Sequence, residues 1–413
     1  MKGVLQLKRM ILSVGAAMAA AMAGAAVETV SPKGGETVEL LPSSQRRVMA
    51  LATQDERIAA LEAMDKAGEK GVWRRTHSLR LRWRTTAGEA GPWKVELWRD
   101  GGDGARETHW VDDGVEKLSD ENGVSTYEWR VPRANLELGR AYCWKVTGGI
   151  KCDVWEHGST VGGVCPTCGK NQAAGASDTA RFVNAANPPR WIAVEGRVGN
   201  MRDLGGWRTT DGRRVRQGMI YRGQALNDNS VNGERRGRNR LMVEDVDYLK
   251  GTLGVKTELD LRSPREIADL AASPLGDGVT YIPRSSTHCG GIFADWGKSV
   301  MAANFRVFCD ARNYPVYFHC IAGADRTGAL AYVLNGVLGV SRHDLEVEWE
   351  STFYPRLPEM KNRNGWNVKR HFDEGFAKYG ADGGTWQRRI ELYLLDCGVT
   401  EAEIAAFKSI MLE

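Results

Sequence analysis

The sequence predicts a multidomain protein in which an N-terminal antiparallel β-sandwich is followed by an α/β domain with a largely parallel central sheet. Two observations support this fold class. The first half of the chain contains short runs of alternating apolar and polar residues, separated by clusters of Gly, Asp and Asn. In the second half, apolar strands alternate with helical patterns, as they do around a parallel sheet. A length of 413 residues allows two or three domains.

The sandwich is predicted at residues 27–186. Its strands are the alternating runs at residues 79–86, 93–100, 125–131 and 141–147. A helical insertion at about residues 45–66 interrupts them, and eight of the 14 tryptophans lie in this half, where we expect most to fill the core. Residues 136–146, LELGRAYCWKV, resemble the late-strand region of fibronectin type III-like domains. That resemblance implies a surface for contact with proteins or glycans.

The α/β domain is predicted at residues 190–413, after a linker that begins at Asn187. Its expected strands are residues 255–261, 279–283 and 316–319, and its expected helices are residues 241–249, 327–338, 344–354, 386–395 and 401–411.

The first 25 residues are predicted to be a signal peptide. Lys2, Lys8 and Arg9 precede an apolar stretch at residues 10–23, and small residues suited to cleavage follow. The stretch is shorter than the roughly 20 residues of a membrane span, so we expect cleavage and export to the periplasm or exterior, with no transmembrane anchor. A net charge of +4 argues against nucleic acid as the main partner.

The Cys–Arg loop, residues 320–326, carries the most specific chemical signal. An apolar strand ends at Cys320, and Arg326 follows at the predicted start of a helix. Backbone N–H groups of the loop and the helix dipole together form an anion site, and they favour the thiolate form of Cys320. The planar guanidinium of Arg326 can bind two oxygens of a phosphoryl group. We therefore predict that Cys320 is a nucleophile that attacks phosphate.

Other residues of the predicted site have assigned roles. Thr327 is expected to donate its hydroxyl to the Cys320 sulfur, and His319 to anchor the loop. The candidates for the general acid are Asp325, then Asp260, and in third place Asp295. The residues predicted to bind substrate are Ile321, Ala322, Gly323, Ala324, Gly328, His319 and Arg202.

The motif HCIAGADRTG at residues 319–328 has companions elsewhere in the chain. They are NMRDLGG at residues 200–206, DGRRV at 211–215, YRG at 221–223, and DLRS at 260–263 with Glu266. Together these motifs resemble the bacterial tyrosine phosphatase family that includes secreted dual-specificity and phosphoinositide phosphatases. The resemblance covers roughly residues 192–413, and it implies a tyrosine-phosphatase-like fold and hydrolysis of phosphomonoesters.

The chain departs from the family pattern at two positions. The family loop usually has Lys where this chain has Ala324, and that Lys is implied to hold further phosphates of an inositol ring. Ala324 therefore favours a phosphotyrosine or dual-specificity substrate over a phosphoinositide or inositol phosphate. Gly223 replaces the usual Ser. The motifs also contain Arg202, Arg222 and Arg262. These arginines can either line the pocket or form structural ion pairs with Asp203 or Glu266.

A cysteine cluster precedes the second domain. Cys152, His157, Cys165 and Cys168 have the residue types of a structural zinc site. In an oxidising compartment the three cysteines can instead form two disulfides together with Cys143, and the Cys-Pro-Thr-Cys sequence can act as a redox pair.

These observations predict an exported, cysteine-dependent phosphatase that requires no cofactor and has no metal in its active site. Its expected partner is a phosphorylated protein or a small phosphomonoester. The rival interpretation is a surface binding protein whose working part is the Trp-rich sandwich, with a vestigial phosphatase domain.

Overall fold

The computed structural model describes residues 27–68, 78–86, 92–102, 106–148, 174–192, 194, 198–227, 241–268, 270–287, 289–352, 372–380 and 384–413. The predicted signal peptide and the candidate zinc ligands Cys152, His157, Cys165 and Cys168 lie outside these residues. The chain divides into two compact units. The first takes in the chain up to Leu40, Ser78–Pro132 and Gly139–Ala185, and the second takes in Leu41–His77, Arg133–Leu138 and Ala186–Glu413.

The first unit consists of two sheets. Its strands are β1 (Val27–Ser31), β2 (Glu36–Val38), β3 (Arg80–Thr85), β4 (Trp93–Arg99), β5 (Glu107–Val111), β6 (Val115–Glu121), β7 (Val124–Arg130), β8 (Ala141–Gly148), β9 (Ala174–Ala176) and β10 (Ala180–Asn184). One sheet has the order β1-β3-β7-β6, and the other has the order β2-β10-β8-β4-β5, with β9 paired to β8. All pairs are antiparallel except β2 with β10. The predicted antiparallel architecture is confirmed.

Large aromatic side chains join the two sheets. The ring centroids of Trp83 on β3 and Trp93 on β4 are 5.3 Å apart, and Trp93 is 5.2 Å from Tyr127 on β7. Trp83, Trp93 and Trp144 are at most 1% exposed, so these tryptophans fill the core as expected. Cys143 on β8 is a buried free thiol. The three cysteines expected to pair with it in the two-disulfide alternative lie outside the described residues.

The second unit contains the α/β domain. Its strands are β11 (Arg190–Trp191), β12 (Arg202–Asp203), β13 (Ile220–Gly223), β14 (Thr257–Asp260), β15 (Thr280–Pro283) and β16 (Val316–His319). Its helices are α1 (Ser43–Met49), α2 (Gln54–Lys66), α3 (Val243–Asp247), α4 (Asp295–Val307), α5 (Asp325–Val337), α6 (Arg342–Ser351), α7 (Glu374–Phe376), α8 (Trp386–Asp396) and α9 (Glu401–Met411). The helical stretch expected at about residues 45–66 thus forms α1 and α2, and it groups with this unit.

The sheet of the second unit has the order β11-β12-β13-β16-β14-β15. The four strands from β13 to β15 are parallel, and β11 and β12 pair antiparallel at one edge. The mostly parallel sheet with helices confirms the predicted class. Helix α5 is buried along eleven consecutive residues, and it packs in the main core with β16. Among the described residues, no helix is long and apolar enough to cross a membrane.

Candidate active site

The Cys–Arg loop follows β16, an inner strand of the parallel sheet. All four residues of β16 are buried, Cys320 is 3% exposed, and α5 begins at Asp325. Because β13, β16 and β14 are parallel, their carboxyl ends lie at the same edge of the sheet. The predicted succession of strand, loop and helix start is confirmed.

Arg326 is held by Glu266, which lies on a turn after β14. Its Nη1 and Nη2 donate to the two carboxylate oxygens of Glu266 at 2.7 and 3.0 Å. The hydrogen bonds from Arg326, together with two from Ser263, lower the pKa of Glu266 to about 2 despite partial burial. Burial disfavours the charge on Arg326, but its interactions with Glu266 and Cys320 raise its pKa overall. The geometry therefore fixes a cation beside the cysteine.

Two side chains from the other motifs hold the middle of the loop. Asn200 Nδ2 donates to the carbonyl oxygens of Gly323 and Ala322 at 2.9 and 3.3 Å, and Arg222 Nη2 donates to Gly323 at 2.6 Å. Gly323 has a φ of +65°, and a Cβ there would overlap the carbonyl oxygen of Gly223. Only glycine fits this point of the loop.

A buried carboxylate supports this arrangement from α6. Glu348 accepts from Arg202 Nε at 2.7 Å and from Arg222 Nη1 at 2.8 Å, and all three side chains are at most 4% exposed. Burial and the like charge of Arg202 lower the pKa of Arg222 to about 9, although Glu348 and Cys320 oppose this. The two arginines and Glu348 form a network beneath the loop.

Glu348 lies in none of the motifs, and sequence reasoning missed it. The only indication of it in the sequence is that two arginines on neighbouring strands require a carboxylate partner. The structure places Arg202, predicted to bind substrate, in full burial with its donors on Glu348, Asn200 and Thr352. Asp203, which was expected as an ion-pair partner of the motif arginines, pairs instead with Arg190.

His319 anchors the start of the loop. Its Nδ1 lies 3.0 Å from the carbonyl oxygen of Cys320, and its Nε2 lies 2.8 Å from Glu258 Oε1. Because a carbonyl oxygen only accepts hydrogen bonds, Nδ1 carries a proton. The other oxygen of Glu258 accepts from the hydroxyl of Ser273. His319 and Glu258 are fully buried, so His319 acts through the loop backbone rather than by contact with a ligand.

Asp260, the second candidate for the general acid, is fully buried at the end of β14. It accepts from Arg262 Nε at 2.8 Å and from Tyr281 Oη at 2.9 Å. Burial disfavours its ionised form, but His319 and Arg262 outweigh burial and lower its pKa. A carboxylate held ionised and away from solvent is poorly placed to protonate a leaving group.

Glu258, Asp260 and His319 also have ligand atoms within 4.8 Å of one another, as a metal site would require. Those atoms are occupied by mutual hydrogen bonds and by bonds from Arg262, Tyr281 and Ser273. The three side chains therefore form a hydrogen-bonded support for the loop.

The remaining predicted residues differ in exposure. Asp325 is half-buried at the first position of α5, whereas Asp295 is exposed at the first position of α4. Thr327 is fully buried, and its hydroxyl has no hydrogen-bond partner among the described residues, so the expected bond to the Cys320 sulfur is not formed. Of the three acid candidates, Asp325 is the one within the Cys–Arg loop.

Small residues shape the loop and the start of α5. Ile321 and Ala322 are half-buried, while Gly323 and Ala324 are buried. A Cβ at Gly328 would lie 2.6 Å from the ring of Trp349, so Gly328 allows α5 to pack closely against α6.

A buried cysteine after a central parallel strand, with an arginine six positions later at a helix start, defines the class of Cys-x5-Arg anion-loop proteins. Within that class, the profile described as "Tyrosine phosphatase family" matches residues 193–413, which is more than half of the chain. The chain belongs to the tyrosine phosphatase family, whose members are phosphoric monoester hydrolases.

Two other proteins are similar to parts of this chain. A Cupriavidus necator protein, provisionally named a tyrosine-protein phosphatase, is 30% identical over 190 residues, which cover 38% of this chain and 64% of that protein. The core catalytic domain of the PP-IP phosphatase SIW14 from S. cerevisiae, solved in complex with citrate, is 17% identical with a TM-score of 0.24. That match covers 39% of this chain and 91% of the yeast domain.

Proposed function

We propose that this protein is an exported, cysteine-dependent phosphatase that hydrolyses phosphomonoesters through a phosphocysteine intermediate. One observation carries the proposal. Arg326 is held by two hydrogen bonds to Glu266 while it interacts electrostatically with Cys320, on a loop at a helix N-terminus. This arrangement suits a nucleophile and a cation that act on the same phosphoryl group.

The reaction has two steps. In the first, the sulfur of Cys320 forms a bond to phosphorus as the ester P–O bond breaks, and Asp325 gives its proton to the leaving oxygen. Arg326 and the loop amides bind the remaining phosphoryl oxygens. In the second step, Asp325 takes a proton from water, whose oxygen bonds to phosphorus as the S–P bond breaks. The products are inorganic phosphate and the restored thiolate.

The substrate we favour carries a single phosphate on a tyrosine or on another protein hydroxyl. Ala324 contributes no cation to the loop, and the buried guanidiniums of Arg202 and Arg222 are engaged with Glu348. A substrate with several phosphates would need cations beyond Arg326. Phosphoinositides or inositol phosphates are the second candidate, and assays on both classes in parallel separate the two.

The direct test measures phosphate release from p-nitrophenyl phosphate and from a phosphotyrosine peptide, with a chelator present. Cys320→Ser and Arg326→Lys are expected to lower kcat by at least about 10³-fold. Cys309→Ser is the matched control, because that free thiol bonds only to the Phe305 carbonyl oxygen among the described residues. Equal activity of wild type and Cys320→Ser would overturn the mechanism.

Export is the part of the proposal that depends on the first 25 residues. Expression of the full chain in a Gram-negative host, followed by cell fractionation and N-terminal sequencing, tests it. We expect a shortened protein in the periplasm or medium. A full-length protein in the cytoplasmic fraction would contradict export and leave the phosphatase proposal intact.

The rival function, a binding protein with a fibronectin-like sandwich, has less support. Exposed tryptophans on the sandwich would support a binding function, but the sandwich tryptophans that the structure describes are buried or half-buried.

A further inference from the structure

Helix α6 carries glutamates that form two separate sets of ion pairs. Glu348 binds Arg202 and Arg222, the pair that supports the Cys–Arg loop. Glu346 and Glu350, two residues to either side, bind Arg57 of α2. Side chains two positions apart point to different sides of a helix. Helix α6 is therefore held by ion pairs on two sides, with the loop network on one and α2 on the other.

Arg57 makes an unusually complete set of contacts. Its Nε and Nη2 donate to the two oxygens of Glu350 at 2.6 and 3.0 Å, and Nη2 also donates to Glu346 at 2.9 Å. Its Nη1 donates to the carbonyl oxygen of Leu51 at 2.9 Å and lies 3.3 Å from Nδ1 of His343. The side chains of Arg57 and Glu350 are at most 1% exposed. A planar guanidinium bound in this way restricts both the position and the rotation of α6.

The contacts then continue to the loop. From Glu350, the backbone of α6 leads to Glu348, which binds Arg222 at 2.8 Å, and Arg222 donates to Gly323 at 2.6 Å. Gly323 is the residue whose positive φ turns the Cys–Arg loop. A rotation of α6 would move Glu348 and so shift Arg222 away from this carbonyl oxygen.

We propose that Arg57 is a positioning residue for the phosphatase reaction. It holds α6 so that Glu348 and Arg222 keep the Cys–Arg loop in its anion-binding shape. The proposal rests on the proposed phosphatase function and adds a dependence that the family motifs do not contain. Arg57 precedes strand β3 in the chain, outside the residues matched to the family, so catalysis depends on a segment from the N-terminal half.

The test is a double-mutant cycle on the full chain between Arg57→Met and Glu348→Gln, at a temperature where each variant is folded. Each single change is expected to lower kcat by about 10-fold or more. If Arg57 acts through Glu348, the double variant loses little more than the worse single variant. A simple product of the two losses, or an unchanged kcat in Arg57→Met, would overturn the proposal. Lys66→Met, an exposed change at the end of α2, is the matched control and should retain wild-type kcat.

A second readout does not require turnover. The rate at which iodoacetate alkylates Cys320 reports the shape and charge of the loop, and Arg57→Met should change it by several-fold. If wild type hydrolyses no phosphomonoester, the proposed function fails, and the alkylation rate still tests the link from Arg57 to the loop.

A double variant provides the test if Arg57→Met alone does not fold. Arg57→Met with Glu350→Met leaves no unpaired charge from this ion pair, so it should fold where Arg57→Met alone does not. It is still expected to lose kcat, because the directional bonds to α6 are gone. Wild-type kcat in this folded pair would overturn the proposal.

Discussion

The ion pair between Arg326 and Glu266 allows a quantitative prediction for Glu266→Gln. The pKa of Glu266 falls from its ordinary value of 4.5 to about 2, with the hydrogen bonds from Arg326 as the largest cause. At about 1.36 kcal/mol for each pH unit, this difference is equivalent to about 3 kcal/mol. The carboxylate side chain is 16% exposed, so solvent screens the pair only in part. We expect Glu266→Gln to lower the free energy of unfolding by about 1–3 kcal/mol.

The sign of the pH dependence follows from the lowered pKa. A carboxyl group with a lowered folded pKa stabilises the protein fully above its unfolded pKa of 4.5, and the contribution is lost as pH falls toward 2. The stability difference between wild type and Glu266→Gln should therefore be constant from pH 7 to about 5.5. At pH 4 it should be smaller by about 0.8 kcal/mol.

The measurement is urea denaturation at pH 7, 5.5 and 4, together with kcat/KM on p-nitrophenyl phosphate. Glutamine presents an N–H group to a donor, so Arg326 loses its fixed orientation, and kcat/KM should fall by about 10- to 100-fold. Ser263→Ala is the control, since it removes one bond to Glu266 and leaves the pair with Arg326. Unchanged stability and kcat/KM in Glu266→Gln would refute the reasoning.

Three further predictions concern single positions. Asp325→Asn should lower kcat about 100-fold on phenyl phosphate and less on p-nitrophenyl phosphate, whose leaving group needs less protonation; equal losses on both would contradict its role as acid. Asn304→Leu should raise the free energy of unfolding by about 1–3 kcal/mol, because both polar atoms of this buried amide have no partner among the described residues; a lower urea midpoint would contradict this. Gly223→Ser should lower the free energy of unfolding by about 1–3 kcal/mol, because its Cβ would lie 2.5 Å from Tyr317 Oη and 3.2 Å from Met201 Cα; an unchanged urea midpoint would contradict this.

The local parts of the site were predictable from sequence. The strand at residues 316–319 and the following loop lie where the apolar run and the Cys-x5-Arg spacing place them, because these features act over a few neighbouring residues. The replacement of Ser by Gly223 also has a local explanation in the structure, since Tyr317 Oη occupies the space that a side chain would need.

The choice of ion-pair partners was not predictable. Helix α6 has glutamates at 346, 348 and 350, and nothing in the sequence assigns Glu348 to the motif arginines and Glu350 to Arg57. That assignment depends on which face of the helix meets the sheet. The grouping of α1 and α2 with the α/β unit was missed for the same reason, since helical periodicity shows that a face is apolar but not what covers it.

The separation of Arg57 and Glu350 by 293 residues has a consequence for biosynthesis. At about 5–20 residues per second, the ribosome needs about 15–60 s to make the chain between them. During this time Arg57 has been synthesised and its acceptor helix has not. The α/β unit therefore completes its fold only after most of the chain has emerged, and its last contacts close one of the longest loops in the protein. A chain interrupted before α6 would lack both carboxylates that bind Arg57, so α2 would have none of the ion pairs that join it to α6.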